Sequence, residues 1–513
     1  MAASDIVKKL WSLCDVLRDS GVNYANYVNE LVQLMFLKMV KDHLNNGLIT
    51  KDPIPVGCRF DDLLALSGSP LINAYKQALT TLSSGELADG SQIENLDPRV
   101  RAIYTDAQTS IKEPKHLEYL IKNLDEINWD SEDRDVLGAA YEGLLEKNAN
   151  ETKSGAGQYF TPRALINSMV KLIKPNPGEI IQDPAAGSAG FIISADRYIK
   201  DKTDDLIDLT SEERTFQRTR AYEGMELVAN TRRLALMNCL LHGIEGIGEG
   251  IIRLGNTLSP EGQKLEPADI ILTNPPFGTA KGSGGAITRD DLTYKTSNKQ
   301  LAFLQHIYRS LKPGGRAAVV FPDNVLFDSG VGEDIRKDLM EKCNLHTILR
   351  LPTGIFYAAG VQANVLFFTK GTADNPYQDK NCTKGIWIYD LRTNMPTFGK
   401  TSPFTGEHLK SFENCYGDNP NGDSSRKEGD WSFTKEDIPH DETTSRWRYF
   451  SREWIRDKNK ESLDITWIKD EDTALNLDDV NIDALILDAE KESSELNDLI
   501  VRLKTALQGI NKD

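Results

Sequence analysis

The sequence lacks a long apolar run. No segment approaches the run of about 20 apolar residues that a membrane-spanning helix needs, so we expect no membrane partner. The first residues also lack a basic start followed by an apolar stretch, which gives no sign of a signal peptide. Together these absences favour a cytoplasmic protein.

Cysteines are few and scattered. The six are Cys14, Cys58, Cys239, Cys343, Cys382 and Cys415. They form no Cys-x-x-Cys pair, and no histidine lies nearby at the spacing of a zinc site. We therefore expect no metal site and no disulfide framework, and reduced thiols agree with a cytoplasmic location.

The chain also has fewer basic than acidic side chains. The chain carries 77 acidic and 60 basic side chains, for a net charge of −17 at pH 7. A protein that held DNA phosphates by itself would carry a basic surplus, because Lys and Arg replace the counterions of the DNA. Either the protein does not bind nucleic acid, or a partner supplies much of the contact.

The patterns along the chain predict four regions. Residues 1–150 carry apolar residues at helical spacing and predict an N-terminal helical domain. In residues 151–371 short β-rich runs alternate with helical patterns, which predicts an α/β catalytic domain with a doubly wound sheet. Residues 372–474 are rich in Asn, Asp, Gly, Pro and Ser and predict a loop-rich extension. Residues 475–513 predict a C-terminal helical tail with heptads, which either binds a partner or packs on its own domain.

Within residues 151–371 we predict seven strands and four helices from these patterns. The predicted strands are 179–182, 220–227, 250–254, 269–273, 316–322, 346–351 and 364–369. The predicted helices are 189–200, 228–242, 298–311 and 333–342.

Candidate cofactor residues follow the first predicted strand. They are Asp183, Gly187, Ser188, Ala189 and Gly190. Small residues let the backbone turn sharply and let a ligand approach closely. The loop has no basic residue and no Gly-Lys-Ser/Thr after it, which argues against a phosphate cradle and favours a ligand with a cationic or neutral head. By itself this pattern also fits other nucleotide-binding folds.

An acidic residue follows at the end of the second predicted strand. Glu226 can accept hydrogen bonds from both hydroxyls of a ribose, and we prefer it to Glu223 because it lies at the strand end. Its distance from Asp183 exceeds the usual spacing of roughly 20 residues, and we interpret the polar segment 201–219 as an inserted loop. The alternative for Glu226 is a surface glutamate. After the third strand, Asn256 is a candidate for binding the adenine of a cofactor.

A second candidate segment precedes the sheet. It consists of Gln158, Tyr159, Phe160, Thr161, Pro162 and Arg163. Thr161 is predicted to cap a helix that begins at Pro162, so that free N–H groups face any nearby carboxylate. The aromatic pair would cover the methionine part of a cofactor. The alternative is a capped helix after a flexible linker.

The most informative motif is Asn274-Pro275-Pro276-Phe277, directly after predicted strand 269–273. Two prolines cannot continue a central strand, so the chain turns at the carboxyl edge of the sheet, where ligands bind. The Asn274 oxygen and a carbonyl near Pro275 can each accept one proton of an amine, which frees its lone pair to attack a methyl group. Phe277 supplies a stacking face for a base taken out of the duplex.

The order of these features predicts a methyltransferase that uses S-adenosylmethionine. The aromatic segment, the glycine loop, the acidic strand end and N-P-P-F occupy successive positions of one fold. The motif alone does not decide whether the methylated amine belongs to adenine, cytosine or glutamine. A glutamine or RNA methyltransferase and a non-catalytic scaffold therefore remain as rivals. The glycine-rich segment 278–285 either closes over the base or forms a disordered loop.

Longer blocks of sequence extend these motifs. They are LWSLCD (10–15), YVNEL (27–31), GQYFTPR (157–163), DPAAGSAGF (183–191), RRLALMN (232–238), NPPFG (274–278), PDNVLF (322–327), LPTGIF (351–356) and WRYFSREW (447–454). In these blocks the chain resembles the methylation subunit of type I restriction–modification enzymes, and closely the EcoKI-like members. The resemblance covers nearly the whole chain, and its far C-terminus is the part that matches least.

The resemblance implies an adenine-specific DNA methyltransferase that acts on N6 within a bipartite target. It implies two such subunits assembled with one specificity subunit, restriction subunits added for cleavage, and double-stranded DNA bound through the complex. Host DNA would be protected by the methylation. Cofactor contacts carry over to 158–163, to Ser188, Ala189 and Gly190, and to Glu226, and the catalytic motif carries over to 274–277.

Target recognition by a partner would account for the acidic balance. No long basic segment follows the catalytic motif, and the aromatic-basic cluster there is 446–454. This cluster either contacts DNA or the specificity subunit, or is a folded surface patch. We expect the isolated chain to bind DNA weakly and without selectivity.

Overall fold

The structure, a computed structural model, describes most of the chain between residues 8 and 468. The described residues are 8–10, 12–13, 24–47, 49, 51–127, 161–277, 287–356, 362–399, 402–427 and 445–468. Three predicted features lie outside them: the cofactor candidates Gln158, Tyr159 and Phe160, the glycine-rich segment 278–285, and the C-terminal helix.

The N-terminal part of the described chain is helical, as predicted. Its helices are α1 (Tyr24–Asn45), α2 (Phe60–Leu64), α3 (Gly68–Ser84), α4 (Pro98–Tyr104) and α5 (Pro114–Asp125). α5 shows why the pattern was informative: it begins with proline, and its apolar residues at helical spacing, from Leu117 to Leu124, are all buried.

The remaining described residues form nine strands with helices between them. The strands are β1 (Ile181–Asp183), β2 (Tyr222–Glu226), β3 (Ile252–Leu254), β4 (Ala268–Thr273), β5 (Leu311–Pro322), β6 (Cys343–Arg350), β7 (Ala363–Lys370), β8 (Gly385–Asp390) and β9 (Trp447–Ser451). The helices are α6 (Arg163–Ile173), α7 (Gly190–Lys202), α8 (Ser211–Thr219), α9 (Ala229–Leu241), α10 (Lys299–Ser310), α11 (Asn324–Phe327), α12 (Val331–Lys342), α13 (Lys410–Tyr416) and α14 (Arg452–Asp457).

All nine strands belong to one sheet, in the order β3-β2-β1-β4-β5-β7-β6-β8-β9. The first five strands of this order are parallel, β7 is antiparallel to both neighbours, and β9 is antiparallel to β8. From β1 the chain proceeds outward to β2 and β3 and then returns to β4 on the other side. The strand order thus reverses at β1, and in open α/β sheets ligands bind at the carboxyl ends of the strands beside such a point.

The seven predicted strands and four predicted helices of the catalytic region are confirmed, with shifts of a few residues at their ends. The interpretation of 201–219 as a loop is wrong for its second half, which forms α8. Thr210 caps that helix: its hydroxyl accepts from the Glu213 N–H, and the Glu213 carboxylate accepts from the Thr210 N–H.

The segment predicted as a loop-rich extension supplies β8 and β9 to the same sheet. β8 carries buried Ile386, Ile388 and Tyr389, and β6 covers one of its edges by parallel pairing. The boundaries proposed at 150, 371 and 474 remain predictions.

The N-terminal helices pack on the sheet region through α4 and α9. Leu234 and Ile103 belong to one continuous core of buried residues, and the Arg233 guanidinium donates to the Thr105 carbonyl at 2.8 Å. The five cysteines within the described residues are buried free thiols. Among the helices of those residues, none has the length and hydropathy of a membrane-spanning segment.

Candidate active site

The glycine loop after β1 has a fixed backbone conformation. Gly187 and Ala189 adopt left-handed φ values of +53° and +67°, and the Ala186 N–H donates to the Met225 carbonyl of β2 at 2.9 Å. The amide of the fully buried Asn238 donates to the Ser188 carbonyl at 3.0 Å. These bonds set the loop between β2 and α9, with α7 beginning at its end.

Side chains of α6 approach the Gly190 backbone closely. A Cβ at this position would collide with the Arg163 guanidinium and lie 3.2 Å from Ile166 Cδ1. The first turn of α7 therefore packs directly on the first turn of α6. This contact brings the predicted segment at Thr161 to Arg163 beside the glycine loop.

Glu226 lies at the end of β2 and faces that loop. Its carboxylate accepts hydrogen bonds from the Gly187 N–H at 3.0 Å and the Val228 N–H at 2.8 Å. Burial raises the pKa of Glu226, and these backbone donors oppose the rise. A carboxylate has about four acceptor sites, so Glu226 can also accept from a ligand.

Glu223, the alternative considered from the sequence, is occupied elsewhere. Its carboxylate pairs with Arg253 at 2.6 Å and accepts the Glu266 N–H at 2.8 Å. It is 9% exposed, and the two contacts hold β2 against β3 and the start of β4. The structure thus places Glu226 against the glycine loop and Glu223 against Arg253, and the ribose role of Glu226 stays a prediction.

Three apolar side chains at this edge were missed by the sequence analysis. Leu227, Val228 and Leu254 are 50%, 43% and 50% exposed, and Leu254 pairs with Glu226 in the β2–β3 register. Exposed apolar residues grouped beside an acceptor form a suitable surface for a flat ring. The only sequence signal was that two of them, Leu227 and Val228, directly follow Glu226 at the predicted strand end.

Asp183 lies at the end of β1, where the glycine loop begins. It is 1% exposed and accepts the Ala185 N–H at 3.0 Å. Burial raises its pKa to about 7, the nearby Glu226 adds to the rise, and bonds from Thr273 and Ala185 oppose it. The site therefore contains two carboxyl groups and is suited to a cationic ligand.

Asn256 follows β3 and is half buried. Its side-chain oxygen accepts the Leu258 N–H at 2.9 Å, and its N–H donates to Glu261 at 3.1 Å. The adjacent Thr257 hydroxyl donates to the Pro184 carbonyl at 2.5 Å, which ties this turn to the glycine loop. The role of Asn256 as an adenine contact stays a prediction.

Asn274 lies at the end of β4, next to β1 across the point where the strand order reverses. Its Nδ2 donates to the Thr161 hydroxyl at 2.9 Å. Thr161 does not cap α6, so that prediction is wrong: the helix begins at Arg163, and its capping residue Pro162 forms no side-chain bond. The hydroxyl instead accepts from Asn274 of the candidate catalytic motif.

A buried glutamine side chain stabilises the turn after Asn274. Pro275 is buried and Pro276 is exposed, and the Gln300 side chain, 2% exposed, donates to the Pro276 carbonyl at 3.3 Å. Phe277 is half buried and meets Phe356 edge to face, with ring centroids 6.0 Å apart. One ring is thus held at the sheet edge beside the Asn274 amide.

A partly buried ion pair supports the part of this edge that carries Phe356. The Arg392 guanidinium binds both carboxylate oxygens of Asp323, at 2.7 and 2.9 Å, and donates to the carbonyls of Leu351 and Ala363 at 3.0 Å. It thereby joins the ends of β5, β6 and β8 to the start of β7. The pKa of Asp323 is lowered: burial raises it, but Arg392 and Asn364 outweigh that effect.

The aromatic-basic cluster 446–454 is largely structural. Arg446 is buried and donates to the carbonyls of Asp390 and Thr393, both at 2.8 Å. Trp447 is buried and stacks on Trp387 with ring centroids 5.0 Å apart. These contacts favour the interpretation as a folded patch for the first part of the cluster.

Comparison with known proteins agrees with this geometry. A family model described as N-6 DNA Methylase matches residues 132–457, and one described as the HsdM N-terminal domain matches residues 6–124. The methylase subunits of type I restriction enzymes StySJI of Salmonella typhimurium and EcoKI of Escherichia coli are each 54% identical over 490 residues, covering 92% of this chain and 89% of the relative. The crystal structure of the EcoKI M protein has a TM-score of 0.59 and 52% identity, covering 91% of this chain and 90% of that one.

Proposed function

The chain belongs to the N-6 DNA methylases, as a methylase subunit of a type I restriction enzyme, and we propose that its methyl donor is S-adenosylmethionine and its target a bipartite DNA site. The observation that carries the proposal is the position of Asn274. Its amide lies at the end of β4, one strand from the glycine loop of β1. A proton acceptor for an amine and a candidate cofactor loop thus share one edge.

The residues around the glycine loop fit S-adenosylmethionine. Asp183 and Glu226 supply carboxyl groups for a cationic ligand, and no Lys or Arg lies within 183–190. Glu226 would accept the ribose hydroxyls, and Leu227 and Leu254 would flank the adenine ring. When bound, the cofactor supplies a methyl group on a sulfonium, whose bond to carbon breaks as a neutral thioether forms.

The chain's own part in the transfer is to present two proton acceptors to the adenine amine. That amine is a poor nucleophile because its lone pair is delocalised into the ring. When the Asn274 oxygen and a carbonyl at Pro275 each accept one proton, the nitrogen becomes tetrahedral and its lone pair can form the new N–C bond. One amine proton then leaves through these acceptors. Phe277 would hold the flipped base by stacking.

We propose that recognition of the target comes from other polypeptides. The relatives are named as subunits, and the net charge of −17 opposes unaided binding to DNA phosphates. A specificity subunit would choose the site for two copies of this chain, and restriction subunits would join for cleavage. The chain alone is then expected to bind DNA weakly and without selectivity.

Single-molecule sequencing of genomic DNA tests the proposal. A strain that lacks this gene is complemented with the unsubstituted gene, with Asn274→Ala, or with Asn123→Ala. Asn123 is a suitable control because its amide only donates to the Tyr119 carbonyl within α5. We expect N6-methyladenine at one bipartite motif with the unsubstituted and control genes and its loss with Asn274→Ala. A methylation pattern that survives Asn274→Ala would contradict the proposal.

A further inference from the structure

The Asn274 amide can serve the reaction in only one of its two orientations. With the oxygen toward the target it accepts a proton of the adenine amine, whereas with the nitrogen toward the target it presents only donors. In the structure Nδ2 points to the Thr161 hydroxyl at 2.9 Å, so the oxygen lies at the other end of the amide. We propose that Thr161 is a positioning residue for methyl transfer, because its hydroxyl oxygen holds the Asn274 amide in the accepting orientation. This inference rests on the function proposed above.

Thr161 is itself held in place. It is 9% exposed and precedes Pro162, and a residue before proline is restricted to extended backbone conformations. The following helix, α6, packs on α7 through the close approach at Gly190. The hydroxyl therefore belongs to the rigid frame of the site, although 113 positions separate it from Asn274 in the sequence.

The Thr161 hydroxyl can contact the cofactor, as the sequence predicts, while it accepts from Asn274. Its oxygen accepts from Asn274 through a lone pair, and its proton remains available to another acceptor. When that proton is engaged, the hydroxyl can only accept from Asn274, which removes the alternative amide orientation. A contact with the cofactor and the positioning of Asn274 are thus compatible but separable by measurement.

The test uses the complex with the specificity subunit, at saturating S-adenosylmethionine and saturating DNA. Thr161→Val keeps the shape and the β-branch but removes the acceptor. We expect kcat to fall by about tenfold, the effect of one neutral hydrogen bond in the transition state. The Kd of S-adenosylmethionine, measured by calorimetry, reports any contact of the hydroxyl with the cofactor, and the saturating cofactor keeps such a contact out of kcat. Thr161→Ser should recover most of the rate.

Two further variants separate positioning from a merely structural role. Thr203→Val is the matched control, because Thr203 is also buried and its hydroxyl only donates to the Ile199 carbonyl, at 2.8 Å. It should leave the rate unchanged. In an Asn274→Ala background, Thr161→Val should have no further effect on the residual single-turnover rate. Thr161→Ala, which creates space instead of a new methyl contact, should reproduce the loss seen with valine.

The outcomes are distinguishable. A weaker Kd with an unchanged kcat would show that Thr161 only binds the cofactor, and an unchanged rate would refute any role in transfer. A further loss in the Asn274→Ala background would assign Thr161 to the fold. Failure of the proposed function differs from all of these, because the unsubstituted complex itself would then methylate no adenine.

Discussion

Replacement of Glu226 by glutamine should weaken the binding of S-adenosylmethionine without unfolding the protein. The carboxylate accepts backbone N–H groups on both oxygens and, with about four acceptor sites, can also accept from the ribose. Glutamine keeps the volume but replaces one acceptor by a donor and removes the charge. A hydrogen bond to a charged group contributes roughly 1.5–3 kcal/mol, so we expect a loss of about 3 kcal/mol, or roughly 100-fold in Kd.

Titration calorimetry of the purified chain measures this effect. Glu223→Gln is the matched control, because the same substitution three residues earlier on β2 affects a carboxylate that binds Arg253 and the Glu266 N–H. The control should bind the cofactor within about threefold of the unsubstituted chain. Equal losses in the two variants, or a loss confined to Glu223→Gln, would refute the assignment of the ribose site. Thermal melting of both variants checks the fold.

Three other perturbations have expected outcomes. Phe277→Ala should slow transfer roughly 30-fold, because a stacked base contributes about 2 kcal/mol, whereas Phe277→Tyr should retain most of the rate in a radiolabel assay. Burial raises the pKa of Asp183 to about 7, so the folded state loses stability as pH rises from the ordinary Asp pKa of about 4 to about 7 and no more above it. The stabilisation by Asp183→Asn in urea unfolding should therefore grow over this range and be absent below it. The pKa of Asp323 is lowered, so its pair with Arg392 stabilises the fold at neutral pH and is lost in acid. Asp323→Asn should lower the free energy of unfolding by about 1.5–3 kcal/mol at pH 7, and a loss below about 0.5 kcal/mol would contradict this.

The parallel half of the sheet could be predicted because its short β-rich runs alternate with helical patterns along the chain. A site residue could be placed wherever it ends such a run, as Asp183, Glu226 and Asn274 do. The chain order of the strands then fixes which ends lie together, since parallel strands share one carboxyl edge.

The contacts that orient the site could not be predicted in this way. The bond from Asn274 to Thr161 joins residues far apart in sequence, and a Thr-Pro pair before a helix is equally typical of a cap, which is why the cap was expected. β8 and β9 were missed because Asn- and Gly-rich segments surround them, although Ile386 and Ile388 alternate within β8 as buried strand residues do.

The most direct test of the central claim follows a labelled methyl group. The purified complex is incubated with S-adenosylmethionine labelled in its methyl group and with DNA that carries the target, and the DNA is digested to nucleosides for mass spectrometry. We predict label in N6-methyladenine with the unsubstituted chain and only a small residual fraction of it with Asn274→Ala, while the Kd of the cofactor stays within about threefold. Label in cytosine or in protein, or undiminished label with Asn274→Ala, would contradict the account.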